Sequence, residues 1–230
     1  MEPPSLYQHS GDVFSFQFPL RFFGLDLGRR VTLLRIFRNR LVVHSTGPFA
    51  PDHIAKITEL GSPDYMLDAT TMHDTFSADG CAAFPGADYF IPEGFPKVAC
   101  DCRTRPLEKL DDVSQGEVQT LRLKGMRFLN EYACFHPASR TLIVCDLLFN
   151  LDGARGYTRW AMRYLLGVKQ WPAIDRPVRW SVYDHEAFRG SLQRILEWDF
   201  DRVIMAHGSV IEQGGKLAFV DAVNRAGFEV

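Results

Sequence analysis

The sequence predicts an α/β protein of the αββα type, with sheets packed face to face and covered by helices. Three observations predict it. The first half is rich in short strands that alternate apolar and polar residues, strands and helices mix towards the C-terminus, and late strands such as Arg202 to Ala206 are continuously apolar. A continuous apolar run of that length suits a strand buried on both faces.

The elements follow in order. Val13 to Phe18, Val31 to Phe37 and Leu41 to His44 read as strands, with Arg38-Asn39-Arg40 as the hairpin turn between the last two. Pro51-Asp52 opens a helix carrying Ile54, Ile57 and Leu60 on one side, and Gly61 stops it. Asp64 to Ala69 is a strand, followed by a short helical or looping piece to Phe84-Pro85-Gly86, and Ala87 to Ile91 is another strand. Pro92 to Gly116 is expected to be mostly irregular, either a lid or plain surface. Strands are expected at Glu117 to Leu123, Glu131 to Phe135 and Arg140 to Cys145, with Pro137-Ala138-Ser139 turning the last pair. Tyr157 to Leu166 has helical spacing, Asp184 caps a helix running to Trp198, and Lys216 to Arg225 is the last helix.

Composition excludes several classes. The chain has 230 residues, enough for one domain with an ample core, and no linker or repeat divides it. The net charge is −2 and no basic run exceeds Arg29-Arg30, so bulk electrostatics argue for neither nucleic-acid nor membrane partners. No apolar stretch approaches the roughly 20 residues that span a bilayer. Met1-Glu2-Pro3-Pro4-Ser5 lacks the basic and apolar segments of a secretory leader, so a soluble cytoplasmic protein is expected. Five cysteines, an odd number, argue against a disulfide framework. Cys100-Asp101-Cys102 is a C-x-C pair without a second pair at zinc-finger spacing, while Cys134 and Cys145 sit in apolar strand patterns as small hydrophobes.

The chemistry is concentrated where three strands end. One runs into Asp68-Ala69-Thr70-Thr71-Met72-His73-Asp74, another delivers Asp146, and Arg202 to Ala206 delivers His207-Gly208. Strand ends on one edge of a layered α/β domain converge, so residues far apart in the chain can line one pocket. His and Asp are ligands for zinc, iron or manganese. Each also has a plainer reading: His207 capping a strand, Asp146 holding a turn, and His73-Asp74 capping a helix. His44 and Ser45, at another strand end, are candidates for the same pocket. Ser45 has no evident His/Asp partner for serine-hydrolase chemistry. The stripe Tyr157, Trp160 and Tyr164, with Trp171, is expected in the core or the pocket wall, and His185 in a solvated first helical turn.

These residues resemble the metallo-β-lactamase superfamily, and more closely a branch of it known only as a domain of unknown function. The matching segments are Val31 to Arg35, Leu41 to Ser45, Thr70 to Asp74, Ser139 to Asn150 and Arg202 to Gly208. The resemblance implies a single domain over residues 1–230, with two mixed sheets flanked by helices. It also implies a metal-dependent hydrolase of ester, lactone, thioester or phosphodiester bonds. Members carry H-x-H-x-D-H where this chain has Thr70-Thr71-Met72-His73-Asp74-Thr75-Phe76, so a complete dinuclear site is not expected. What remains is one mixed nitrogen/oxygen site for a single Zn²⁺, Fe²⁺ or Mn²⁺, held by His73, Asp74, Asp146 and His207, with Asp74 or Glu131 as proton acceptor. The alternative is a metal-free, non-catalytic descendant that binds a small molecule or a protein. The sequence leaves the oligomeric state open.

Overall fold

The computed structural model describes residues 5–98 and 102–230. The chain opens with β1 (Tyr7–Gln8) and β2 (Val13–Phe18), then a small hairpin of β3 (Arg21–Phe22) and β4 (Leu25–Asp26). Next come β5 (Arg29–Ile36), β6 (Arg40–His44), α1 (Pro51–Leu60), β7 (Ser62–Leu67), α2 (Ser77–Ala83) and β8 (Asp88–Ile91). The stretch expected to be irregular contains β9 (Arg103–Pro106) and α3 (Leu110–Val113). Strand β9 extends the first sheet by pairing in parallel with β8, and none of the described residues of this stretch lines the cavity described below. The second half holds β10 (Gln119–Arg122), β11 (Tyr132–His136), β12 (Thr141–Val144), α4 (Gly156–Tyr164), α5 (Arg176–Ser181), α6 (His185–Glu197), β13 (Arg202–Met205) and α7 (Gly215–Arg225).

The first sheet has the order β1-β2-β5-β6-β7-β8-β9 and the second β10-β11-β12-β13. Both are mixed. Strands β1, β2, β5 and β6 pair antiparallel and β6 to β9 parallel. In the second sheet only the β12–β13 pair is parallel.

The period-2 alternation of a strand sends neighbouring residues to opposite faces, and here it builds three cores. In β6, Val42 packs between the sheets while Leu41 and Val43 face α1 and α2. In β12 and β13, Ile143 and Ile204 face the first sheet, whereas Leu142, Val144, Val203 and Met205 face the layer of α4 to α7. Three apolar layers between four layers of secondary structure make the αββα sandwich predicted from the sequence. No helix among the described residues is long and apolar enough to cross a membrane.

The cap expected at Asp184 holds, and the structure adds one at Asp175. Asp184 accepts a hydrogen bond from Ala187 N at 3.0 Å to start α6, and Asp175 does the same for α5 from Val178 N at 3.0 Å. Two expectations do not hold. Cys81 and Cys102 form a disulfide, so the odd cysteine count concealed one bridge; Cys100 lies outside the described residues. Of the aromatic set, Trp171 packs against the core and Tyr157 lines the cavity described below, as expected, but Tyr157, Trp160 and Tyr164 are all largely exposed, and α4 buries Thr158, Ala161 and Met162.

Candidate metal centre

His73 lies in the loop after β7, Asp146 directly beyond β12, and His207 just past β13. One atom each of His73, Asp146 and His207 lies within 4.8 Å of the other two. His73 Nε2 is 3.3 Å and His207 Nε2 3.4 Å from Asp146 Oδ1. The two rings stand edge to face at 5.3 Å.

Backbone chemistry fixes each ligand. Glu131 is fully buried, and its two carboxylate oxygens accept from Cys145 N at 2.8 Å and Asp146 N at 3.1 Å, which holds the chain leaving β12. His207 Nδ1 donates to Gly28 O at 2.6 Å, so Nε2 carries the lone pair aimed at the cluster. Its ring stacks on Phe149 at 5.4 Å. Gly208 has φ +91°, and a Cβ there would meet Asn150 O at 2.2 Å, so only glycine lets the chain turn away behind the ligand. The His73 loop is tied to the sheet by Asp68. Its carboxylate accepts from Arg29 Nη2 at 2.9 Å, Thr46 N at 3.1 Å, Thr46 Oγ1 at 2.7 Å and Tyr89 Oη at 2.6 Å. Arg29 Nη2 also donates to His73 O at 3.3 Å.

The ionisation states suit a cation. Burial, and then the Arg29 guanidinium, push His73 down to about 4, leaving a neutral imidazole at neutral pH. Burial opposes ionisation of Asp146, but the His73 and His207 rings together hold its carboxyl well below the usual range. A divalent metal requires neutral imidazoles and an ionised carboxylate. Neither ring nitrogen of His73 makes a hydrogen bond although both are buried, a cost that a ligand at Nε2 would relieve there. The residues therefore fit one divalent ion.

The cluster forms the floor of a cavity of about 470 Å³. Its charged and histidine lining is Arg29, His73, Asp146, Asp175 and His207, and apart from Thr75 the rest is aliphatic or aromatic. A second groove of about 520 Å³ passes Asp152, Arg155 and Ser209 and includes none of the three ligands.

The other expected site residues lie elsewhere. Asp74 is exposed and outside the cluster, and its carbonyl accepts from Ser77 N at the start of α2. Glu131 is absent from the cavity wall, and its oxygens are occupied by backbone amides rather than open to substrate. His44 and Ser45 are buried behind the wall and bond each other at 3.3 Å. Burial, and then the charge of a protonated His73, push His44 down to about 3. Two charged residues of the wall were not singled out from the sequence. Arg29 was read only as part of a short basic pair. Asp175, which burial and then Val178 and Asp146 leave at about 6, carried no signal in the sequence.

The whole chain superposes on solved metallo-β-lactamases. It is similar to the DIM-1 metallo-β-lactamase (TM-score 0.63, 13% identity, 97% of each chain covered). It is also similar to FIM-1 from Pseudomonas aeruginosa in its mono-zinc form (TM-score 0.62, 10% identity, 97% of this chain and 96% of that one). A metallo-β-lactamase from Erythrobacter litoralis gives TM-score 0.62 at 12% identity, over 97% of this chain and 92% of that one. The chain has the metallo-β-lactamase fold. No protein-family model and no curated protein matches it, and the narrower branch named above rests on sequence resemblance alone.

Proposed function

We propose that this chain is a metal-dependent hydrolase of an ester, lactone or thioester-type bond, using a mononuclear site of His73, Asp146 and His207. The observation that carries this reading is the convergence of those three side chains on the wall of a largely apolar cavity. A two-histidine, one-carboxylate set suits zinc, iron or manganese and leaves positions open. Such an ion supplies Lewis acidity towards a carbonyl and acidifies water at neutral pH.

The chain's own groups provide the rest. Water adds to the carbonyl carbon, the carbon–oxygen or carbon–sulfur bond breaks, and the proton released by water passes to the leaving group. Asp175 is the proton carrier: Oδ1 is held by Val178 N, Oδ2 is left to receive the proton, and a carboxyl near 6 exchanges it readily at neutral pH. Asp175 thus takes the part expected of Asp74 or Glu131. The apolar wall suits a small molecule with an apolar body. A phosphodiester fits less well, because the one cationic side chain on the wall, Arg29, is already paired with Asp68.

Metal analysis of protein purified without chelator tests the reading. Stoichiometric metal that is lost in His207→Ala, together with esterase or lactonase turnover, is the expected result. Folded wild-type protein that takes up no zinc, iron or manganese would overturn it in favour of a binding module.

A further inference from the structure

Helix α4 has three stripes rather than the two of an ordinary surface helix. Thr158, Ala161 and Met162 are buried. Tyr157, Trp160 and Tyr164 form an exposed ladder, with ring centroids 5.9 Å and 6.1 Å apart. Arg155, Arg159 and Arg163 follow at intervals of four on the third side, all exposed. The hairpin β3–β4 lies alongside, tied by Asp26 N donating to Thr158 Oγ1 at 2.9 Å. It carries Phe22 and Phe23, the latter 84% exposed. Phe22, Phe23, Tyr157 and Leu165 also line the cavity, so the exposed aromatic surface is continuous with the cavity wall. A soluble domain rarely leaves so much contiguous aromatic surface uncovered without a partner.

Charge identifies the partner. Between the exposed Asp152 and Asp184 the chain has the basic residues Arg155, Arg159, Arg163, Lys169, Arg176 and Arg179, and the one acid inside that stretch, Asp175, is buried. The overall charge of −2 conceals this local excess. Aromatic rings settle at the headgroup level of a bilayer, and nearby arginines are drawn to anionic lipid.

We propose that the face formed by α4 and the β3–β4 hairpin docks on an anionic lipid bilayer surface, placing the mouth of the apolar cavity against the membrane. The docking is peripheral and independent of any metal at the cavity floor.

Co-sedimentation with phosphatidylcholine vesicles, with and without phosphatidylglycerol, tests this. Wild-type protein is expected to pellet with the anionic vesicles alone and to be released by high salt. Trp160→Ala/Tyr164→Ala and, independently, Arg159→Glu/Arg163→Glu should each weaken partitioning by on the order of tenfold or more. Circular dichroism of both variants should be unchanged, since these side chains are exposed. Wild-type protein that ignores anionic vesicles, or variants that bind as well as wild type, would overturn the proposal. A concentration-dependent dimer abolished by the same substitutions, without vesicle binding, would also overturn it and assign the face to a second copy of the chain.

Discussion

Arg29 and Asp68 meet at 2.9 Å with both side chains buried, linking the start of β5 to the loop that presents His73. Every oxygen of the carboxylate is satisfied, and the guanidinium also reaches the carbonyls of Thr46 and His73. Removing one partner strands the other charge away from water. Asp68→Ala should therefore cost about 3–5 kcal/mol, lowering Tm by about 10 °C. Chemical denaturation measures the first and calorimetry the second. A loss of under about 1 kcal/mol would mean that the pair is not what anchors the loop.

Asp146→Asn should remove metal binding and turnover while leaving the Tm of the metal-free protein within a few degrees. The side chain faces two imidazoles, whereas the backbone around it is held by Glu131. Large destabilisation would show that Asp146 serves chiefly to hold its turn.

The pH dependence of stability has a predictable sign at Asp175. Its carboxyl keeps a proton up to about pH 6 in the folded protein, chiefly because it is buried, against 3.8 as its ordinary value. Between those values the folded state binds more protons than the unfolded state. Stability from this group is therefore present at low pH and falls as pH rises through that window. Asp175→Asn keeps the cap on α5 and removes the titration. In metal-free protein it should raise stability at pH 7 by up to about 3 kcal/mol and change little at pH 4, as urea unfolding at the two pH values would register. Equal effects at both pH values would refute the assignment.

Opening the Cys81–Cys102 bridge should destabilise the protein. The sequence separation is 21, for which loop closure predicts about 3 kcal/mol. Cys81→Ser, or wild type under dithiothreitol, should melt about 6–12 °C lower. A reducing cytoplasm, the location expected from the sequence, would keep the bridge open. An unchanged melting point on reduction would show that the bridge contributes nothing to stability.

Much of the layering was legible because a strand's period is short and strict: Leu41, Val42 and Val43 declare their faces by position alone. His73, Asp146 and His207 were legible as strand-end residues, since strand ends share an edge. Arg29 and Asp175 were not, because membership of the cavity wall depends on how distant elements pack. The face of α4 was misread for a related reason. Helical spacing shows that Tyr157, Trp160 and Tyr164 share a side but not which side is covered, and Thr158, Ala161 and Met162 share another side with less apolar bulk. Asp74 was adjacent to a ligand in sequence, yet the loop turns it outwards. Cysteine pairing cannot be read from a count.

His73 comes from the first-sheet half of the molecule, and Asp146 and His207 come from the second. Around them, backbone bonds among the described residues stitch the halves together, among them Tyr132 N to Ala69 O at 2.7 Å and Arg30 N to Ala206 O at 2.8 Å. An ion held by all three ligands would act as a rivet across that seam. Its occupancy should be felt as damped breathing between the halves, seen as slower amide exchange at Arg30 and Tyr132.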